Sequence, residues 1–276
     1  MELVFSKMHG LGNDFVIIDA INQSVSLTDA HIRRLADRRY GIGCDQVLLV
    51  RSANGPEADF GLRIFNRDGS EAEQCGNGAR CLARFLQHRK LTEKSELRIE
   101  GAKGPMTLYL ESDGQVTVDM GPPRLEPEEI PFKATSREPS YNLDANGQSL
   151  EIGAVSMGNP HAVVRVQSVS DAPVLKLGSI IETHHRFPQR ANVGFMEVVD
   201  RQHIRLRVFE RGVGETTACG SGDCAAVVVG RLQALLDPQV TVSLPGGDLV
   251  VSWPMDGEPV KLRGPATHVF EGRIFL

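Results

Sequence analysis

Short apolar runs separated by turns dominate the first half of the chain and predict strands. These predicted strands are residues 3–8, 15–20, 47–51, 60–66, 96–100, 106–111 and 115–120. Two helical patterns interrupt them. Thr28 or Asp29 is expected to cap a helix that runs to about Arg39 and ends at Gly41. From Asn77 onward, apolar residues recur at i, i+3, i+4 and i+7, which predicts a second helix with one face in the core.

The second half of the chain repeats this plan. Its predicted strands are residues 151–157, 162–166, 193–199, 204–209, 240–244, 248–253 and 260–263. Asp171 and Pro173 are expected to start a helix, as cap and first-turn proline. The helix predicted at 221–236 is apolar nearly all round, so it should be buried on most sides. Residues 121–147 contain five prolines and predict a linker between domains, and the tail, 267–276, is expected to pair with the N-terminal domain.

The two halves also share sequence. Residues 62–78 align without gaps to residues 206–222, at an offset of 144, with 8 of 17 positions identical. Unrelated segments of this length would agree at about one position. We therefore interpret the chain as an internal duplication, with one cysteine, Cys75 or Cys219, at the same place in each copy.

Composition narrows the class of protein. With 276 residues, 41% hydrophobic and 24% charged, the chain is typical of a globular protein with a full core. A net charge of −5 argues against nucleic acid as the main partner. No apolar run approaches a membrane span and the start does not read as a secretory signal, which favours the cytoplasm. Five cysteines in a reducing compartment are expected to be free thiols, and their spacings do not match a zinc knuckle, so no metal site is expected.

Both repeated cysteines precede a glycine-rich turn that opens a helix. The helix dipole and the open amides at such a position lower a thiol pKa and attract an anion such as a carboxylate. Two such helices, related by pseudo-symmetry, would aim at one carboxylate in a cleft between the domains. The sulfurs would then flank the carbon attached to it, where one removes a proton and the other delivers a proton to the opposite face. The duplicated thiols therefore indicate racemisation or epimerisation at an α-carbon.

Seven motifs in the same order resemble the diaminopimelate epimerase family over essentially the whole chain. They are Lys7-Met-His-Gly-Leu-Gly-Asn-Asp-Phe15, Gly41-Ile-Gly-Cys-Asp-Gln46, Asn66-Arg-Asp-Gly-Ser70, Gln74-Cys-Gly-Asn-Gly-Ala-Arg80, Ser156-Met-Gly-Asn-Pro-His161, Phe209-Glu-Arg-Gly212 and Ala218-Cys-Gly-Ser-Gly222. The resemblance implies a cofactor-independent isomerase that converts LL- to meso-diaminopimelate in lysine and peptidoglycan precursor synthesis. It implies no nucleic-acid or membrane partner, and a homodimer.

The resemblance also implies a fold and a set of site residues. The fold is α+β, with two pseudo-symmetric domains, each a half-open, mostly antiparallel β-barrel around a central helix. The domains are expected at 1–119 plus 265–276 and at 120–264. The implied acid/base pair is Cys75 and Cys219, with His161 and Glu210 tuning the thiols: a carboxylate would raise a thiol pKa and an imidazolium would lower it. The implied substrate-binding residues are Asn13, Gln46, Asn66, Gly76, Asn77, Asn159, Asn192, Glu210, Arg211, Gly220 and Ser221.

Three residues depart from the family pattern. Asp223 stands where a small apolar residue is usual, and its charge should oppose any lowering of the Cys219 pKa. Cys44 is expected to be a neutral, half-buried thiol, and Phe270 replaces a tyrosine linked to dimer packing. Cys81 and Cys224 are expected to be core residues.

Two alternatives stay open. A two-cysteine racemase for proline or hydroxyproline would use the same core chemistry without groups for a second amino-acid centre. A non-racemising isomerase of the same fold is disfavoured, because it would lack one of the two cysteines and both are present. A structural thiol or zinc-binding module belongs to a different class, and stoichiometric bound metal would support it.

Overall fold

A computed structural model describes residues 1–72 and 75–276. Gln74, the first residue of one family motif, lies outside the described residues. The chain divides into two compact units, Met1–Asp119 with Arg263–Leu276, and Met120–Leu262. Among the described residues the secondary structure comprises four helices and eighteen strands, an α+β composition as expected from the sequence. Within the same residues, no helix combines the length and apolar character that spanning a membrane requires.

The first unit is a set of strands around one long helix. Its elements are β1 (Glu2–Gly10), β2 (Asn13–Asp19), α1 (Asp29–Ala36), β3 (Gln46–Ser52), β4 (Phe60–Asn66), β5 (Glu71–Ala72), α2 (Gly76–His88), β6 (Glu96–Gly101), β7 (Gly104–Leu110), β8 (Val116–Asp119) and β18 (Thr267–Phe275). Neighbouring strands pair antiparallel, except that β2 runs parallel to β3 and β4 runs parallel to β6.

The second unit has the same plan. Its elements are β9 (Tyr141–Ala145), β10 (Gln148–Ser156), β11 (Pro160–Val166), α3 (Val174–Glu182), β12 (Asn192–Asp200), β13 (His203–Glu210), β14 (Gly214–Thr216), α4 (Gly220–Leu232), β15 (Gln239–Leu244), β16 (Gly247–Ser252) and β17 (Lys261–Gly264), which ends across the unit boundary. The parallel pairs are β11 with β12 and β13 with β15, which correspond in order to those of the first unit.

The duplication extends to strand register. The short strand β5 pairs Ile64 with Ala72, and β14 pairs Val208 with Thr216, at the same 144-residue offset. Neither short strand was predicted from the sequence, because two or three residues carry no periodic pattern. The ion pair between Arg63 and Glu71 in the first copy has its counterpart between Arg207 and Glu215 in the second. Register and cross-strand ion pair are therefore both preserved between the copies.

Each unit buries its long helix, as predicted. Ten of the thirteen residues of α2 are buried, and so are ten of the thirteen of α4. Each helix also buries one charged side chain that is fully inaccessible to solvent, Arg80 in α2 and Asp223 in α4. The prediction for the tail is also confirmed, since β18 pairs antiparallel with β1 from Glu2 opposite Phe275 to His9 opposite Thr267.

The predicted end of α1, the predicted cap of α3 and the predicted end of α4 each differ from the structure. Thr28 caps α1 as expected, but the helix stops at Ala36 because Asp37 is extended and its carboxylate accepts the N–H groups of Arg39 and Tyr40. The helix α3 starts at Val174 behind Pro173, without the side-chain cap expected from Asp171. The helix α4 ends at Leu232, not near 236, because left-handed Ala234 turns the chain so that Leu235 N–H donates to Gly230 O.

The predicted linker at 121–147 is not a linker throughout. Its last part forms β9, which pairs with β10 over five residues, Tyr141 opposite Ile152 at one end. Before that strand, Ile130 and Phe132 are buried in the core of the second unit together with Tyr141. Tyr141, Leu143 and Ala145 alternate with exposed residues as a strand requires, but the five prolines that precede them led the whole stretch to be assigned as a linker. Apolar residues before the strand also bury side chains in the domain core.

Gly153 lies where β10 meets α4, and the helix leaves no room for a side chain there. A Cβ at this position would lie 2.2 Å from Cγ1 of Val229. Valine has one strongly preferred rotamer in a helix, so it cannot move aside cheaply. We expect Gly153→Ala to destabilise the protein by about 1–3 kcal/mol and to lower the Tm by several degrees in a thermal melt.

Gly194 in β12 provides the matched control. A Cβ there would meet its nearest neighbour, Leu206 Cδ1, at 3.5 Å, which is ordinary contact. Gly194→Ala should melt within about 2 °C of the parent protein. Equal Tm values for Gly153→Ala and Gly194→Ala would show that the close approach of helix and strand is not rigid.

Candidate functional site

Cys75 occupies the residue before α2, as the N-cap. Its backbone is extended, and its carbonyl accepts the first helical hydrogen bond from Ala79 N–H at 2.9 Å. The sulfur in turn accepts the backbone N–H of Gly78 at 3.4 Å. A Cβ at Gly78 would contact Leu48 and Phe15 at 3.4 Å, so the turn is closely packed on that side. The backbone N–H of Gly78 nevertheless reaches the Cys75 sulfur. Cys75 itself is half-buried.

Asn13 faces Cys75 from the start of β2. Its Oδ1 lies 3.9 Å from the Cys75 sulfur and accepts the Asn77 side-chain amide at 3.1 Å. The Asn77 Oδ1 accepts a hydrogen bond from Arg80 at 2.9 Å, and Arg80 also donates to the carbonyl of Pro265 at 3.2 Å. Three predicted site residues are therefore brought together, and a buried arginine one turn into the helix holds them.

An ionic network supports Asn13 from the other side. Asp45 Oδ2 accepts the Asn13 amide at 3.0 Å, and Arg38 bridges Asp45 and Asp14. Lys7 adds a second cation on Asp14, at 2.6 Å, and also donates to the carbonyl of Gly43. Burial alone would raise the pKa of Asp14, but hydrogen bonds from Arg38 and Lys7 lower it to about 2. Asp14 is therefore ionised at neutral pH, and Asp45, held by Arg38, fixes which side of the Asn13 amide faces Cys75.

Gln46 and Asn66 form a second polar pair in the same unit. They lie opposite each other in β3 and β4, and Gln46 donates to Asn66 Oδ1 at 2.9 Å. The Asn66 amide donates to Ser70 Oγ at 3.1 Å. Each of these side chains is partly accessible, so both can also reach a ligand.

Cys219 caps α4 in the second unit and differs from Cys75 in its surroundings. It is only 6% exposed. Its sulfur lies 3.6 Å from Ser221 Oγ. Asp223 N–H donates to the Cys219 carbonyl at 2.9 Å, the counterpart of the Ala79 bond in the first copy.

The expectation that a helix start lowers the thiol pKa is wrong for Cys219. Burial raises the pKa of this thiol well above its usual value, and the charges of Glu210 and then Asp223 raise it further. The opposing effects of Ser221 and the Gly222 backbone are smaller. Glu210 and Asp223 therefore act in the direction predicted for them, and Cys219 holds its proton at neutral pH.

Glu210 ends β13 and is fixed by Thr216, whose hydroxyl donates to Oε1 at 2.5 Å. The next residue, Arg211, donates its backbone N–H to Asn192 Oδ1 at 3.0 Å. Its guanidinium is turned to the carbonyl of Gln189, also at 3.0 Å. Asn192 is buried and donates to the carbonyl of Pro160 at 3.3 Å. Arg211 and Asn192 are therefore neighbours, and one guanidinium nitrogen of Arg211, Nη1, is used by the backbone.

His161 is a neutral side chain. It is buried, and Nε2 lies 3.0 Å from Oδ1 of Asn159. Burial, and secondly the charge of Arg211, lower the pKa of His161 to about 3. The prediction that an imidazolium lowers a thiol pKa is wrong, because this ring stays uncharged at neutral pH. As a neutral ring it can still fix the orientation of the Asn159 amide.

Strand register shows which polar residues are equivalent. In the parallel pair of the first unit Phe15 lies opposite Gln46, and in that of the second unit His161 lies opposite Asn192. His161 thus replaces a phenylalanine, and Asn192 corresponds to Gln46. Together with the change from Asn66 to Glu210, the second copy places a carboxylate and an imidazole where the first has an amide and an apolar ring.

The other cysteines are buried and play no part in either turn. Cys81 and Cys224 are fully buried in α2 and α4, as predicted. Cys44 was expected to be half-buried but is fully buried in the core of the first unit. Burial raises the pKa of Cys44 to about 12, and it also raises the pKa of Cys81. All five cysteines are free, and only Cys75 retains substantial exposure.

Sequence reasoning missed the residues that support the site from behind. Asp45 and Arg80 were quoted within motifs, but without roles, and Arg38 lay within a predicted helix, also without a role. The only signal for Asp45 was its place next to Gln46. The glycines Gly76 and Gly220 open their helices, where geometry leaves the first amides without an acceptor inside the helix. Each unit therefore offers a thiol, nearby helix-start amides and a set of amide side chains, which suits proton transfer next to a carboxylate.

Comparison with known proteins identifies a family. The family model described as diaminopimelate epimerase matches residues 5–126 and 153–269. The chain is 61% identical over 276 residues to the diaminopimelate epimerase of Thioalkalivibrio sulfidiphilus, with 99% of each chain covered. It is 55% identical to that of Pseudomonas syringae pv. tomato, with 100% of both chains covered.

Solved structures with low sequence identity share the fold. A hydroxyproline epimerase from Agrobacterium vitis, with bound trans-4-hydroxy-L-proline, has a TM-score of 0.71 at 14% identity, covering 99% of this chain and 92% of that one. A predicted epimerase from Pseudomonas aeruginosa has a TM-score of 0.72 at 15% identity, covering 99% of both. These similarities concern the fold alone and confirm the fold class expected from the sequence.

Proposed function

The chain belongs to the diaminopimelate epimerase family, a family of isomerases, and we propose that it converts LL-2,6-diaminopimelate to meso-diaminopimelate in lysine and peptidoglycan precursor synthesis. The observation that carries the proposal is the pair of cysteine N-caps, Cys75 and Cys219, at equivalent positions of two repeats. Full-length identity of 61% to a diaminopimelate epimerase supports the choice of substrate. The enzyme would act in the cytoplasm and without a cofactor.

The proposed chemistry is a two-base epimerisation. The thiolate of one cysteine removes the α-proton as the C–H electron pair moves into the carboxylate, and the thiol of the other protonates the opposite face of the carbon. The first sulfur ends protonated and the second ends as thiolate, so the reverse reaction exchanges their roles. Because Cys219 keeps its proton at neutral pH, we assign it as the acid and Cys75 as the base when the cycle begins.

Amide side chains and helix starts are proposed to hold the substrate. Helix-start amides at Gly76 and Gly220 would bind the carboxylate next to the reacting carbon and stabilise its developing negative charge. The remaining proposed contacts are Asn13, Gln46, Asn66, Asn77, Asn159, Asn192, Glu210, Arg211 and Ser221. Amides and a carboxylate suit the second, distal amino-acid centre of diaminopimelate, which must be bound without reacting.

We also propose a homodimer that uses β18. This strand exposes three apolar side chains, of which Phe270 is 45% and Phe275 is 70% accessible in the monomer. Exposed aromatic side chains are enriched at protein–protein interfaces, which is the reason for choosing this strand. Sedimentation of the purified protein would test it: a monomer at micromolar concentration would contradict the proposal, and Phe270→Glu should weaken the association.

Isotope exchange tests the proposed reaction directly. In heavy water, LL-diaminopimelate should gain one deuterium at the inverted α-carbon for each turnover, because the delivered proton comes from a thiol that exchanges with solvent. NMR and chiral chromatography would follow exchange and inversion together. L-Lysine and L-proline serve as control substrates and should remain unlabelled. Labelling of proline in preference to diaminopimelate would overturn the substrate assignment.

Removing Asp45 should impair turnover through Asn13. In Asp45→Ala the Asn13 amide loses its acceptor, so its Oδ1 is no longer fixed towards the Cys75 sulfur. Since an orphaned polar contact costs about 1–3 kcal/mol, we expect kcat to fall about 10- to 100-fold, with a smaller change in KM. Steady-state kinetics would measure both.

Asp37→Ala is the matched control for this change. Asp37 also accepts hydrogen bonds from backbone amides near the end of α1, but it has no contact with Asn13. It should keep kcat within about twofold. In addition, the pH dependence of Cys75 alkylation should change in Asp45→Ala and not in Asp37→Ala. An unchanged alkylation profile in both variants would mean that Asp45 only supports folding.

A further inference from the structure

Two histidines and a glutamate lie close together in the first unit, at the end of α2 opposite Cys75. His88 is the last residue of α2, and His268 and Glu271 belong to β18. The His88 and His268 rings are stacked, with centroids 4.6 Å apart and planes inclined by 29°. Their Nε2 atoms lie 3.7 Å and 3.8 Å from the same oxygen, Glu271 Oε1. One ligand atom from each residue therefore lies within 4.8 Å of the others.

These atoms converge without bonding to one another. Both nitrogen–oxygen distances exceed hydrogen-bond range. His268 Nε2 is shielded from solvent and has no hydrogen-bond partner among residues 1–72 and 75–276. A buried ring nitrogen in that state is costly unless a ligand that the structure does not contain completes it. The cluster thus contains an unsatisfied ring nitrogen 3.8 Å from a carboxylate oxygen.

The spacing fits a small transition-metal ion. Zinc binds imidazole nitrogen and carboxylate oxygen at about 2.0–2.2 Å, so tetrahedral ligand atoms lie about 3.4 Å apart. The nitrogen–oxygen pairs at 3.7 and 3.8 Å would have to close by about 0.4 Å. The two ring nitrogens, which lie within 4.8 Å of each other, would have to close by up to about 1.4 Å, and side-chain rotation can supply both movements. Ring stacking already holds the imidazoles side by side, which lowers the entropy lost on binding.

The local charges partly favour a cation. The C-terminal end of a helix carries partial negative charge, and His88 is in the last turn of α2. Glu271 supplies a formal negative charge. Against this, Arg89 donates to the other oxygen, Glu271 Oε2, at 3.0 Å, and Ser6 Oγ lies 3.4 Å from Oε1. Arg89 leaves Oε1 as a monodentate ligand and should weaken binding without preventing it.

We propose that His88, His268 and Glu271 form a Zn²⁺ site with three protein ligands and one water. The ion would tie the end of α2 to β18 and so stabilise the attachment of the C-terminal strand to the first unit. The thirteen-residue helix separates this site from Cys75 by about 20 Å, so it lies outside the proposed active site and does not depend on the proposed function. Its ligands come from sequence positions about 180 residues apart, which no spacing motif detects.

Zinc titration of the full chain tests the proposal. Reactive thiols would compete for zinc, so the titration uses the Cys75→Ser/Cys219→Ser protein after treatment with EDTA. Calorimetry should show one equivalent of Zn²⁺ bound, and saturating zinc should raise the Tm. His88→Ala and His268→Ala should each weaken binding at least tenfold and abolish the Tm increase. Arg89→Gln should bind more tightly than the parent, because it removes the competing cation.

A second histidine pair provides the control. His184 and His185 also have adjacent rings, 4.2 Å apart, but His184 Nε2 contacts the backbone carbonyl of Asp144 at 3.1 Å. His185→Ala should keep the full zinc stoichiometry. Zinc affinity unchanged in His88→Ala and His268→Ala would overturn the proposal, as would absence of a Tm increase with zinc in the parent. Zinc that binds only when Cys75 and Cys219 are intact would favour a thiol site instead.

Discussion

Cys75→Ala and Cys219→Ala should each reduce kcat for diaminopimelate epimerisation by about a thousandfold or more. General acid–base catalysis by one positioned group is worth about 10²–10⁴-fold, and inversion requires a group on each face of the carbon. With one thiol gone, neither direction of the reaction can be completed. Chiral chromatography of LL- and meso-diaminopimelate under saturating substrate would measure the loss.

Two buried cysteines offer matched controls for these variants. Cys81 and Cys224 lie in the same helices, six and five residues after the N-cap cysteines, and both are fully buried. Cys81→Ala and Cys224→Ala remove a sulfur from each core and should lower the Tm while keeping kcat within a few-fold. Full activity in either Cys75→Ala or Cys219→Ala would refute the two-base mechanism, and equal losses in all four variants would indicate a general effect on folding.

Glu210→Gln and Asp223→Asn should both make Cys219 more reactive towards iodoacetamide at pH 7. The carboxylates of Glu210 and Asp223 raise the pKa of Cys219, so removing either charge lowers it. Only the thiolate reacts, and each unit by which the pKa falls gives about tenfold more thiolate at a pH below that value. We expect the alkylation rate to rise in both variants, and more for Glu210→Gln than for Asp223→Asn, because Glu210 has the larger influence. Burial still keeps the pKa above its usual value in both.

Peptide mass spectrometry would assign the alkylation to Cys219 and separate it from Cys75. Glu215→Gln is the matched control, because Glu215 lies in the adjacent β14 and is engaged by Arg207 at 2.6 Å. Its removal should leave the alkylation rate within about twofold. A slower reaction in Glu210→Gln than in the parent would show that Glu210 favours the Cys219 thiolate, contrary to the sign inferred from its charge.

Much of the architecture follows from local pattern and repetition. Residues 60–66 form a strand with the predicted bounds, and α4 is buried as its apolar surface required. The linker prediction failed although its signal was local: Tyr141, Leu143 and Ala145 alternate along β9, and Asn146-Gly147 turns the chain into β10. The prolines before this hairpin led the whole stretch to be assigned as a linker. The ends of α1 and α4 failed for a different reason, since Asp37 and Ala234 stop their helices through capping bonds that no apolar period records.

The cysteine turns were evident from the chain because glycine, cysteine and helix start are neighbours in sequence and occur twice. The residues that hold these turns in place were not evident, because their hydrogen bonds join distant positions. Asp45 accepts a hydrogen bond from Asn13, 32 positions away, and Arg80 donates to the carbonyl of Pro265, 185 positions away.

The sequence by itself determined the duplicated strand–helix plan, the family and the two candidate thiols, because each rests on short-range pattern or on repetition. Only the tertiary structure decided which side chains are protonated and which distant residues contact one another. Burial, which is a property of the packed fold, makes His161 neutral and raises the pKa of Cys219 against the helix dipole. The same packing brings His88 beside His268 and Glu271, because electrostatics and metal coordination depend on distances in space and not on separation along the chain.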